Sequence, residues 1–101
     1  MLGSFREIAP EKKAYRRMMA RAAMLPENYQ VTFGKIQGYL QKFAALDDAD
    51  MLRVQRGILQ QFEAGAARGR KPVDITGWDF VSFTNACLQK ARAAADLGGA
   101  A

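Results

Sequence analysis

Histidine is absent from the chain, and cysteine occurs once, as Cys87. The first absence removes the commonest general acid–base group and the commonest nitrogen ligand for a metal. The second excludes an intrachain disulfide framework and a cysteine-built zinc site. No apolar run approaches the ~20 residues needed to cross a bilayer. The opening stretch MLGSFREIAP has no apolar segment of the signal-peptide kind, so cytoplasm is the expected location. Neither G-x-G-x-x-G nor a P-loop is present, and GAARGRK lacks the required glycine and lysine spacing. No combination of residues makes a catalytic, cofactor-binding or metal-binding constellation. The expected protein is not an enzyme and takes no cofactor.

What is present is helical. The chain has 101 residues, half of them hydrophobic and a quarter charged, which suits one domain with a modest core. Strand signals are nearly missing, while apolar residues recur at spacings of three and four. The expected fold is all-α, a compact bundle or superhelical array of four main helices over about 10–24, 26–44, 48–67 and 77–95. Pro10 suits the first helical position, where its missing N–H is no loss. Tyr15, Met18, Met19, Ala22 and Ala23 form the first apolar stripe, and residues 3–8 are expected to add a short turn packing Phe5 and Ile8. Pro26 begins the second helix, with Tyr29, Thr32, Phe33, Ile36, Leu40 and Phe43 in one arc at ~100° per residue. Asp47 or Asp48 caps the third helix, whose stripe is Met51, Val54, Ile58 and Phe62, widened by Leu52 and Leu59. Gly69 is its expected stop. Thr76 and Asp79 have capping-box spacing for the fourth helix, which turns Phe80, Phe83, Cys87, Leu88, Ala91 and Ala94 to one side. The domain spans 1–95, and the tail DLGGAA, 96–101, lacks anchors and is expected to fray.

Two glycines interrupt the second helix in FGKIQGYL, each costing about 0.5–1 kcal/mol relative to alanine. On a helical wheel Gly34 and Gly38 fall opposite the apolar arc, beside Val31. They are not notches in the main seam. Either this back face is exposed, or a neighbouring helix or partner approaches closely over the strip Val31–Gly34–Gly38. Small residues four apart permit such approach, although that pattern is a strong association signal only in lipid. A second helix sandwiching this one is the expected form of the close-approach case.

The runs LPENYQVTFGKIQGYL and GRKPVDITGWDFVSF carry a family pattern. Leu25 and Pro26 are followed by Tyr29, Phe33, Ile36, Tyr39 and Leu40; later come Gly77, Asp79 and Phe83. In order and spacing these resemble a family of small bacterial helical proteins known only as a domain of unknown function, number ten-forty-eight of its series. The similarity covers about residues 5–90. Two departures stand out: Phe33 replaces a tryptophan-like aromatic, and Gly34 and Gly38 stand where charged residues are more typical. The resemblance implies an all-helical superhelical fold and genes often near PadR-type transcription regulators. It implies no catalytic residues.

The net charge of +5 directs attention to partners. Residues 6–21 hold six of the fifteen basic residues. Lys12, Lys13, Arg16, Arg17 and Arg21 occupy much of the first helix's circumference, and Arg68, Arg70 and Lys71 form a second cluster. These are candidate contacts for an acidic partner or for phosphate, unless they are simply a solvated face. No helix carries the polar set that reads base edges in a helix-turn-helix. Tyr39 and Trp78 lie off their helices' central stripes and are candidate aromatic anchors, or pack under loops. Asp47, Asp48 and Asp50 resemble a metal cluster but precede an apolar helix, where capping and the helix dipole account for them. Cys87 lies on a buried stripe with no histidine to activate it, and is expected to be inert. A protein partner or self-association is expected, in a non-enzymatic accessory or regulatory module. Nucleic acid bound through the basic residues is the alternative.

Overall fold

In the computed structural model, residues 10–100 are described; of residues 10, 11 and 95–100 only the helical backbone is. The expected turn at 3–8 lies outside the described residues, as do the side chains of the expected tail. Five helices follow in order: α1 Pro10–Ala22, α2 Glu27–Phe43, α3 Asp48–Ala67, α4 Pro72–Thr76 and α5 Phe80–Ala100. No strand occurs among the described residues.

Local chemistry sets the boundaries. The α-helical spacing ends at Ala22, because the chain tightens into i→i+3 bonds before Pro26: Met24 N–H donates to the Arg21 carbonyl at 3.0 Å and Leu25 N–H to that of Ala22 at 3.1 Å. Pro26 stands just outside α2 rather than opening it, and its carbonyl accepts from Gln30 N–H at 3.0 Å. The Gln30 amide closes the same turn by donating to the Leu25 carbonyl at 2.7 Å. Asp47 caps α3, accepting from Asp50 N–H at 2.8 Å. Gly69, at φ 73°, lets the chain leave α3 in the left-handed region.

The connector beyond α3 differs from expectation. It holds α4, a helix too short for its periodicity to register, opened by Pro72 and held by Lys71 N–H donating to Asp74 Oδ2 at 2.9 Å. Gly77 at φ 71° ends it, which prevents the next helix from starting at 77. Asp79 therefore caps α5 alone, its carboxylate accepting from Val81 N–H at 3.0 Å, Ser82 N–H at 3.3 Å and the Ser82 hydroxyl at 2.8 Å. Thr76 is not the cap: its hydroxyl donates to the Gly77 carbonyl at 2.7 Å. The three bonds, the hydroxyl's first, hold the Asp79 carboxyl below the usual aspartate range.

The helix at the centre is α3. At ~100° per residue, Val54, Ile58, Phe62, Gln55, Leu59 and Leu52 sweep nearly half its circumference, and all are buried. Against it pack Met18 and Ala22 of α1, Tyr29, Phe33, Ile36 and Leu40 of α2, and Leu88 of α5, in one core. Phe62 is the aromatic hub, with ring centroids 5.3 Å from Tyr29, 6.1 Å from Phe33 and 6.4 Å from Phe83. Two buried polar side chains escaped the sequence reading, and both are satisfied. Gln37 Nε2 donates to Gln55 Oε1 at 2.8 Å, and Thr84 donates to the Phe80 carbonyl at 2.7 Å. Several expected stripe members sit at its margins: Ala23, Ala94 and Tyr15 are exposed, and Phe80, Phe83, Cys87 and Ala91 are half-buried. Phe43 is 67% exposed, since α2 outruns the core by one turn.

Candidate functional site

The exposed side chains fall into three surfaces. The first is the outer face of α2. Val31 is 53% exposed, and a Cβ built on Gly34 or Gly38 meets no atom within 4 Å. Among the described residues no helix covers this strip, so of the two alternatives the exposed back face is the one found; α3 is the helix flanked by neighbours. Here the wheel also places Glu27 near the N-terminal end of the strip and Lys35 and Lys42 along its flank. The glycine that does admit a close neighbour is Gly65 on α3. A Cβ there collides with Ile75 Cδ1 and lies 2.9 Å from the Tyr29 hydroxyl oxygen, so α4 packs against α3 only because that side chain is missing.

The second surface is aromatic. Trp78 is 94% exposed on the 77–79 loop and packs under nothing, and Met24 is also exposed. Tyr39 is half-buried; its hydroxyl donates to Asn85 Oδ1 at 2.8 Å, and its ring lies 5.1 Å from that of Phe43 at 41°. Of the two candidate anchors, Trp78 is free-standing and Tyr39 is tied to α5. Phe43 takes a place at this surface that the sequence reading had assigned to the core.

The third surface is basic. Lys12, Lys13, Arg16 and Arg17 are exposed on α1. Arg21 is engaged by Glu63 of α3 through a two-pronged bond, Nη2 to Oε1 at 2.6 Å and Nε to Oε2 at 3.1 Å. That bond raises the pKa of Arg21 further. The second cluster is also exposed, but it stands on a different part of the molecule. Arg68 and Arg70 line a recess of about 280 Å³ with Gln61, Gly65 and Ile75. The Arg70 carbonyl accepts from the buried Tyr29 hydroxyl at 2.8 Å, which pins the turn that carries the cluster. Burial, first, and the nearby Asp74 carboxylate, second, raise the pKa of that hydroxyl. The two basic clusters do not merge into one stripe. Arg56 of α3, which the sequence reading passed over, instead meets Arg17 and Arg21. The sequence marks it only as a polar position off the apolar stripe of α3.

The remaining candidates have structural roles. Asp47 is a cap and Asp50 pairs with Arg53 at 2.8 Å. Among the described residues no group of three or more histidine, cysteine, aspartate or glutamate side chains is placed to hold a metal ion. Cys87 is half-buried, and burial raises its pKa above the ordinary thiol value, with Gln61 Nε2 3.9 Å from Sγ. No described helix is long and apolar enough to cross a membrane.

The described residues form an all-helical array packed around α3. The family of proteins of unknown function DUF1048 matches residues 6–97, and the chain belongs to that family. A DUF1048 protein from Bacillus cereus ATCC 10987, solved by crystallography at 2.05 Å and described as a left-handed superhelix fold, is similar in sequence and structure. The two are 49% identical, with a TM-score of 0.71 over 75% of this chain and 94% of that one. No protein among the curated sequences matches the chain.

Proposed function

We propose that this protein is a non-enzymatic accessory or regulatory interaction module that self-associates through the outer face of α2. The observation that carries the reading is the internal symmetry of the bare strip. Lay α2 antiparallel on a second copy about a point between Gly34 and Lys35. Val31 then stands over the partner copy's glycine at position 38, and Glu27 approaches the lysine at position 42. Both pairs share one centre, as a two-fold interface requires. A glycine opposite valine lets the backbones approach, and opposite charges at the ends set the direction. Sedimentation velocity over a range of concentrations tests this. The wild type is expected to dimerise, and Gly38→Arg to remain monomeric with its helical signal intact. A wild type that stays monomeric throughout, or a dimer indifferent to Gly38→Arg, refutes it.

A second reading draws on the exposure of Lys12, Lys13, Arg16 and Arg17 on α1. Contact with nucleic-acid phosphates through these residues and the Arg68–Lys71 turn would give duplex DNA an affinity that falls steeply with salt. Replacing Lys13, Arg16 and Arg17 by glutamine would abolish it. Cytoplasm remains the expected setting for either reading.

A further inference from the structure

Three arginines from two helices share one concavity. Arg17 and Arg21, one turn apart on the shoulder of α1 that leans on α3, meet Arg56 of α3 around a space of about 220 Å³. Its other walls are Ala14 and Met18, and Met18 is buried in the core. Its base is therefore part of the packed helix interface, with arginines at the rim. Glu63 occupies one of the three guanidinium groups, at 2.6 Å. Three arginines line the space and one carboxylate pairs with them, an excess of two positive charges among these residues. Among the described residues the only other ion pair is Arg53–Asp50, which lies one turn before Arg56 on α3. Arg17 and Arg56 are exposed, so solvent screens their charges and leaves them open to an anion.

The answering chemistry follows from the residue type and the charge. Guanidinium forks match phosphate oxygens two at a time, as lysine does not, and a phosphate monoester carries the two negative charges the site lacks. A recess of this size suits one or two phosphate groups rather than the groove of a duplex. We propose that Arg17, Arg21 and Arg56 form a binding site for the phosphate or diphosphate group of a small molecule, held between α1 and α3. The site does not depend on self-association, because the outer face of α2 contributes no residue to it.

Isothermal titration of the full chain with inorganic pyrophosphate, and with inorganic phosphate, tests the proposal, with ionic strength held constant by sodium chloride. Saturable binding of one pyrophosphate per chain is expected. Arg17→Gln and Arg56→Gln should each weaken it by roughly tenfold or more. Arg56→Lys, which keeps the charge and loses the fork, should fall between. Arg92→Gln removes the same charge from α5, which contributes no residue to the space, and should stay within about twofold. Glu63→Gln should tighten binding by removing the opposing charge. Each variant's thermal unfolding by circular dichroism establishes that it is folded. Heat that never saturates, equal losses for Arg92→Gln and Arg56→Gln, or a Glu63→Gln protein that binds no more tightly would overturn the site.

Discussion

Replacing three helical glycines by alanine, one site at a time, should have opposite signs at two kinds of position. Gly34 and Gly38 face open space, and a Cβ at either meets nothing within 4 Å. Alanine there gains helix propensity and restricts the unfolded chain without any clash. Each substitution should stabilise by about 0.5–1 kcal/mol, and the pair by roughly 1–2 kcal/mol. For a domain of this length each kcal/mol corresponds to about 4–8 °C in melting temperature. Gly65, where α4 packs closely on α3, should behave in the reverse way. Its Cβ would strike Ile75 and press on the Tyr29 hydroxyl, whose position is fixed by its 2.8 Å bond to the Arg70 carbonyl. Overpacking of that kind costs roughly 1–3 kcal/mol, which outweighs the propensity gain. Urea unfolding followed by helical circular dichroism, at concentrations too low for association, reads both signs. Stabilisation by Gly65→Ala, or destabilisation by Gly34→Ala and Gly38→Ala, would refute this division of the glycines.

Three further outcomes follow from the structure. Tyr29→Phe removes the only bond from the core to the Arg68–Lys71 turn seen at that carbonyl, and should cost about 1–2 kcal/mol in urea unfolding; no loss would mean that water replaces the hydroxyl freely. Asp79 has a lowered carboxyl pKa in the folded state, so its stabilising effect is complete above the unfolded value near pH ~4 and disappears as pH falls through the lower folded value. Asp79→Asn keeps a capping oxygen but cannot titrate, so its unfolding midpoint should trail the wild type at neutral pH and converge with it in acid; a constant gap would contradict the sign. Cys87, with its thiol pKa raised by burial, should react with a disulfide reagent more slowly at mildly alkaline pH than a small free thiol does, and a rate equal to the free thiol's would place it in an activating environment.

The helices were legible because their apolar residues recur at a period that only one local structure satisfies. The third helix came out with its expected bounds, and Asp47 is the one of the two candidate caps that serves. The resemblance over residues 5–90 likewise agreed with the family match over 6–97. The misses share a physical cause. The five residues of α4 are too few for periodicity, and only Pro72 and Gly77 at positive φ mark them. Thr76 had the spacing of a cap, yet the positive φ of the intervening glycine handed that role to Asp79. Phe43 lay on the apolar arc, but an arc states direction and says nothing of whether a neighbour extends that far. Which glycine admits a close helix is a matter of three-dimensional proximity, so Gly65 was invisible beside the conspicuous Gly34 and Gly38. The same holds for Arg56: residues 35 or more positions apart meet Arg17 and Arg21 only after α1 lies down on α3.

The account rests most heavily on the claim that the uncovered side of α2 meets another copy of itself. A dilution series of amide proton–nitrogen spectra examines that claim residue by residue. Concentration-dependent shifts should gather at the amides of Val31, Gly34 and Gly38, while those of Arg68 and Arg70 stay fixed. Spectra that do not change on dilution, or changes centred away from that strip, would contradict it.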